Sequence, residues 1–517
     1  MSEHIENIVI VGAGVTAWLA ALALTKQFNA NSLNITMIDC EQKESLPLAE
    51  SGVAALSSFH RKFGIREREV MVATEATFKL ANAFYGWNFP EQSFFHSHSP
   101  YGAMIQSIEF QHFAAKFKLD GDNTPFDAYS LGASAARLGR FAHPKTNAKA
   151  FLAPYSYALH FDVQHYLDYL KSLVQAQVRL IKENISDVVV RSEDGFIDAL
   201  VTSGHQQIEG DLFIDCSGKS GRLIEQALGV GYMDWSDYLP CDRRIIFSSD
   251  AIKNPLPATK MSLHKDGWMR IVPLRNRQCY EFYYDINYLS DGDALQYLQR
   301  YTADKPMHDV LIQAFNIGRR ERFWYKNCLA LGETAGFLGS LCVSSVHTTQ
   351  SAILRFLDMF PDRECSSFIA EEYNRITTEE YARILDFHTA HYDCARALHS
   401  PFWDAYHRKS LPASLAHKIH LFSQFGRFPF YERETFSSKT WISFLLGQNY
   451  WPQHYDELVP LSNHIHARQH AKKMTSVISQ VAEQMPSHWE YLAQYCGDDR
   501  NSLESTHIGL KANRGMK

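Results

Sequence analysis

Apolar residues in this chain come in short runs closed by glycine, and those runs set out the first elements. Ile8–Val11 is an aliphatic run leading into Gly12-Ala13-Gly14-Val15-Thr16-Ala17 and then an Ala/Leu-rich segment reaching Leu24. That order predicts strand, tight turn and helix. Ile35–Ile38 repeats the strand pattern and ends at Asp39, so residues 1–45 read as one βαβ unit. From Thr77 to Tyr85 the pattern alternates, with Phe78, Leu80, Asn82 and Phe84 on one side and Lys79 among Thr77, Ala81, Ala83 and Tyr85 on the other. A single strand is expected there, leaving space around the Lys79 ammonium. Taken alone, such a lysine is ordinarily a solvated one.

His160-Phe161-Asp162 predicts the start of a helix carrying Tyr166, Leu167, Leu170 and Val174 on its apolar face. Val178–Val190 and Phe196–Val201 read as strands joined through Glu193-Asp194-Gly195. Asp211–Gly218 and Cys328–Gly336 are two further buried strands running into glycine turns, at Gly218 and at Gly332. Between Trp235 and Asp285 aromatics and charges alternate as in an antiparallel sheet. A helix through Gln350, Ile353, Leu354 and Leu357 follows, and residues after about 365 are predominantly helical.

The opening unit carries a specific chemistry. Gly12 permits the turn, Gly14 lets a pyrophosphate approach the backbone, and the small Ala17 lets helix pack on strand. The N–H groups at the helix start then face phosphate, and Asp39 stands where a ribose hydroxyl is held. Glycine turns at Gly12, Gly218 and Gly332 are more than an NAD site needs and suit an FAD fold.

Composition narrows the class. The 517 residues are 45% hydrophobic and 21% charged, with a net charge of −6, which argues against nucleic acid as the main partner. The Ile8–Leu24 run contains turn glycines and follows a flank without Lys or Arg, so it reads as neither signal peptide nor membrane span. Nine scattered cysteines with no CxxC suit reduced thiols in the cytoplasm. His464, His466 and His470 lie among Arg468, Lys472 and Lys473 and read as a basic helix face, so no metal site is expected. His388 and His391 read as packing or hydrogen-bonding residues.

Several longer segments resemble the flavin-dependent tryptophan halogenase family. They are GAGVTAW (Gly12–Trp18), Glu75-Ala76-Thr77-Phe78-Lys79, DWSDYLPCDR (Asp234–Arg243), GRRERFWYKNCLALGE (Gly318–Glu333), HYDCARALHSPFW (His391–Trp403) and WISFLLGQNYWP (Trp441–Pro452). The resemblance implies an α/β, FAD-binding Rossmann-like fold of the flavin monooxygenase/halogenase type with an interleaved, largely helical substrate module. The expected FAD module is 1–45, 160–250 and 310–360, and the substrate module 46–159, 251–309 and 361–517. It further implies that FADH2 from a separate flavin reductase, with O2 and chloride or bromide, generates hypohalous acid. That oxidant passes through a tunnel to an aromatic, tryptophan- or indole-like substrate, where Lys79 presents it. Gly12, Gly14, Ala17, Asp39, Glu50, Gly332, Glu333 and Val346 are the implied cofactor contacts, and the backbone at Ser344 and Ser345 the implied halide site. No membrane or nucleic-acid partner is implied, and a homodimer stays open.

Two positions depart from the family. Its Trp-x-Trp-x-Ile-Pro motif reads Trp268-Met269-Arg270-Ile271-Val272-Pro273, putting a cation on the substrate side where the family has a flat apolar wall. Arg270 either binds an anionic group or pairs with a local carboxylate. The stretch resembling FLEPLESTSIH reads Phe337–His347, and its register puts Cys342 at the catalytic glutamate. A thiol, with an ordinary pKa of about 8.5, is no comparable base. Two other readings therefore stand beside halogenation: a flavin monooxygenase, marked by oxygen incorporation without halide, and a catalytically impaired flavin-binding homologue, marked by uncoupled peroxide release.

Overall fold

The computed structural model describes residues 4–28, 32–40, 47–144, 156–303 and 306–497. Strand β1 (Asn7–Val11) is buried along four of its five positions and enters helix α1 (Val15–Gln27) through the Gly12–Gly14 turn. β1 lies between β2 (Asn34–Ile38) and the strand Leu212–Asp215, parallel to both. The full order is Trp324–Tyr325, Cys328–Ala330, Leu212–Asp215, β1, β2, Arg179–Ile181. The chain leaves β1 toward one edge and returns on the other side, so a crevice opens beyond the C-terminal end of β1, the usual place for a nucleotide.

A second, seven-stranded sheet runs His308–Ala314, Arg243–Asp250, Arg277–Tyr284, Gly267–Pro273, Ala258–His264, β5 (Ala81–Tyr85), Ser93–Ser97. The antiparallel pattern expected over 235–285 is its centre. This sheet draws segments from both expected modules, since 243–250 and 308–314 pair alongside 258–284. Helices dominate the C-terminal part, beginning with the 27-residue Ser367–Asp393.

Three local expectations are corrected. The segment Thr77–Tyr85 is not one strand: β4 (Thr77–Lys79) pairs with Ala158–Asp162 in a three-stranded sheet with β3 (Ala49–Ser51), whereas β5 joins the seven-stranded sheet. The break is at Leu80, whose N–H donates to Pro257 O and whose carbonyl accepts from His98 N. His160–Asp162 ends a strand rather than starting a helix, and Asp162 caps the helix Val163–Val174 by accepting from His165 N at 2.9 Å. Val178–Val190 splits because Arg179–Ile181 pairs with β2 whereas Ile185–Val190 pairs with Ile197–Thr202.

Candidate functional site

The glycine turns meet at the C-terminal edge of the parallel sheet. Gly12 has φ +111°, and a Cβ there would lie 2.4 Å from the carbonyl oxygen of Cys216. Gly14 caps α1, with nothing within 4 Å of a Cβ, no side-chain cap and no acidic residue in the first turn. The helix N–H groups therefore face open space, a cradle that fits a pyrophosphate. Ala17 is fully buried beneath the turn, and Asp39 is half-buried just past β2. At the third turn Gly332 (φ +63°) sits so close to Thr16 that a Cβ would meet its hydroxyl at 2.5 Å, and Glu333 follows, half-buried. Thr16 Oγ1 lies 3.4 Å from Thr349 Oγ1, bringing the helix Ser345–Asp358, with Val346 in its first turn, against the same crevice. These residues fit FAD.

The two glycines should separate stability from binding. Gly12→Ala forces a side chain into a left-handed turn against a carbonyl and is expected to destabilise by about 1–3 kcal/mol. Gly14→Ala should leave the melting temperature unchanged while weakening FAD binding, followed by flavin fluorescence quenching. Equal flavin affinity in Gly14→Ala and the unaltered protein would refute the assignment of this turn to pyrophosphate.

The helix Ser345–Asp358 starts with Ser344 as N-cap, its hydroxyl accepting from His347 N at 3.4 Å. Phe337, Gly339, Ser344, Ser345, Thr348 and Tyr381 line a small crevice at this helix end. The N–H groups at this helix start suit a halide by the same dipole argument.

Behind it lies a dense buried charge cluster. Glu50, Lys79, Arg270 and Glu281 are each at most 2% exposed. The Lys79 ammonium donates to Gly52 O at 3.1 Å. Burial pushes its pKa down to about 8; Cys342 opposes that shift, Arg270 adds to it and Glu50 opposes it. The Glu50 carboxyl is pushed upward by burial, against the pull of Arg270. Arg270 grips Glu281 with two hydrogen bonds (Nε to Oε2 3.0 Å, Nη2 to Oε1 2.7 Å) and donates to Ser340 O at 3.1 Å. Arg270 therefore pairs with a local carboxylate and is not turned toward an outside anion. Trp268, on the same face, stacks on Tyr283 with centroids 4.2 Å apart and donates to the Tyr392 hydroxyl. Pro273 contributes its carbonyl to Thr77 Oγ1 at 2.7 Å.

Cys342 lies within electrostatic reach of Lys79. Its thiol is pushed up to about 12 by burial, against the lowering effect of Lys79, so it is neutral near pH 7. Its Sγ lies 3.2 Å from His391 Nε2 and 3.9 Å from Asn82 Nδ2. The sequence names neither Asn82 nor Glu281 as a site residue and gives His391 a packing or hydrogen-bonding role, which its contacts to Phe387 O and Cys342 Sγ bear out without having pointed to the site. Glu281 was recoverable in principle, because a hairpin turning at Arg275-Asn276 sets it opposite Arg270. His391 comes from a distant helix, and no spacing ties it to Cys342. Among the described residues no group of three His, Cys, Asp or Glu side chains is placed to hold a metal.

The tryptophan halogenase family profile matches residues 7–463. Among curated proteins, the tryptophan 6-halogenase ThaL of Streptomyces albogriseolus is 26% identical over 440 residues, covering 81% of this chain and 82% of its own. Among solved structures, BrvH, a flavin-dependent halogenase from Brevundimonas sp. BAL3, superposes with a TM-score of 0.91 at 32% identity, covering 96% of this chain and 100% of its own. A flavin-dependent halogenase from Xanthomonas campestris gives 0.90 at 32% identity, with 95% and 99% covered.

Proposed function

Because this chain belongs to the flavin-dependent tryptophan halogenase family, we propose that it halogenates an electron-rich, indole-like aromatic substrate, with Lys79 presenting the halogen. Bound reduced FAD would supply, with O2 and chloride or bromide, the hypohalous acid. Gly12, Gly14, Ala17, Asp39, Glu50, Gly332, Glu333 and Val346 would hold the cofactor, and the backbone at Ser344 and Ser345 the halide. A separate reductase would deliver the reduced flavin. The scattered free cysteines suit a reducing, cytoplasmic setting. Among the described residues no helix is long and apolar enough to cross a membrane.

The observation that carries this reading is Lys79 itself, a buried cation whose pKa of about 8 lies within reach of neutral pH. As ammonium it donates a hydrogen bond to the oxygen of hypohalous acid and makes the halogen more electrophilic; as amine it takes up the halogen. Trp268 and Arg270 stand on the substrate side, and the Arg270–Glu281 pair leaves the lysine as the cation available to the oxidant.

The deciding experiment combines the protein with FAD, a reductase, O2 and bromide or chloride against a panel of indoles and other electron-rich aromatics. Mass shifts of one halogen are expected. Oxygen incorporation independent of halide would instead establish a monooxygenase.

Position 342 offers a second test. Cys342→Glu is expected to raise halogenation by about 10-fold or more, since a carboxylate beside Lys79 is a stronger base than a neutral thiol. An unchanged product yield by mass spectrometry would show that the base at this position does not limit the reaction.

A further inference from the structure

We propose that Cys342 and His391 form a two-member proton relay, in which the thiol takes the ring proton of the halogenated substrate while passing its own hydrogen to His391 Nε2. The inference rests on the halogenation reading above and deepens it by assigning the base where a glutamate is absent.

Hydrogen-bond direction carries the argument. His391 Nδ1 lies 2.7 Å from Phe387 O, and a carbonyl only accepts, so Nδ1 carries the ring hydrogen. Burial holds the imidazole well below its usual pKa, so it is neutral and Nε2 is bare. The hydrogen between Sγ and Nε2, 3.2 Å apart, is therefore the thiol's. Asn82 Nδ2 approaches the sulfur at 3.9 Å from its own strand and donates, which fixes the thiol hydrogen toward His391.

The surroundings of His391 fit a transient imidazolium. Phe444 stacks on it with centroids 3.8 Å apart, Phe387 presents an edge at 4.7 Å and Phe84 lies tilted at 5.4 Å. At rest these rings exclude water and keep the base uncharged; once it is protonated, the face of stacked Phe444 attracts the charge.

The step balances. The carbon–halogen bond forms as the halogen–oxygen bond of hypohalous acid breaks, and the departing hydroxide takes a proton from the Lys79 ammonium to become water. The ring C–H bond then breaks, its electron pair returns to the ring, and its proton goes to Sγ as the thiol proton moves to Nε2. Return of that proton through Cys342 to the Lys79 amine resets all three groups. The sum is aromatic C–H plus hypohalous acid giving aromatic C–X plus water.

The test uses an aromatic substrate that the unaltered protein halogenates, with and without deuterium at the halogenated carbon. Product from the unaltered protein reports the halogenation reading by itself; the variants report the relay. His391→Gln, which has no bare ring nitrogen, and His391→Phe, which keeps the stacking on Phe444, are both expected to lose about 100-fold and to acquire a primary deuterium isotope effect that the unaltered protein lacks. Cys342→Ser, whose hydroxyl also relays, should show no such isotope effect. Histidine variants with undiminished rate, or with lost rate and no isotope effect, would overturn the relay. Nitrogen-15 spectra of labelled histidine supply a readout independent of turnover, with His391 expected as the Nδ1–H tautomer; an Nε2–H tautomer would overturn the proposal.

Discussion

Lys79→Met is expected to lower aromatic halogenation by about 100-fold or more while reduced-flavin oxidation continues. The methionine fills the space of the lysine stem but can neither donate to hypohalous acid nor take up halogen. The same substitution should not destabilise the protein. A lysine whose pKa is lowered on folding destabilises the folded state below its folded value, here about 8, and the penalty fades as pH rises toward the ordinary 10.5. Removing Lys79 is therefore expected to raise the melting temperature at pH 7 and to do so less at pH 10. Halogenated product at the original rate would remove Lys79 from the mechanism, and a lower melting temperature at pH 7 would contradict a net cost of burying its ammonium.

Glu281→Ala is the largest expected stability effect. It leaves the Arg270 guanidinium buried and strips the Tyr283 hydroxyl of its 2.6 Å partner, at an expected cost of about 3–5 kcal/mol in denaturant unfolding. Arg270 holds the Glu281 carboxyl below its ordinary 4.5 in spite of burial, so the contribution of the pair is complete above that value and is lost as acidification titrates the folded carboxylate. The double variant Arg270→Met, Glu281→Leu should recover most of the loss, because apolar replacement of both partners strands no charge. A single-variant cost below about 1 kcal/mol would mean that water reaches the pair.

The nucleotide half was legible because its rules are local. A run of apolar residues, two glycines and a following acid specify a turn whose geometry depends on little else, and β1, α1 and β2 lie where that pattern put them. Lys79 was found through resemblance but placed on the wrong element. Alternation from Thr77 to Tyr85 is compatible with one strand, and nothing within the segment says that Leu80 gives its hydrogen bonds to Pro257 and His98 instead. The partners at 342 were less visible still. Asn82, Cys342 and His391 stand 260 and 49 positions apart, on a strand, a loop and a long helix, and only tertiary packing unites them.

That packing also bears on how long the catalyst would last. An enzyme that makes a halogenating oxidant exposes its own sulfur to it, and the thiolate is the form that reacts fastest. At a pKa of about 12, the thiolate population of Cys342 at pH 7 is about one in 100,000. The desolvation that keeps the sulfur protonated thus slows its chlorination or bromination, and a residue that would be a liability on the surface becomes durable over many turnovers.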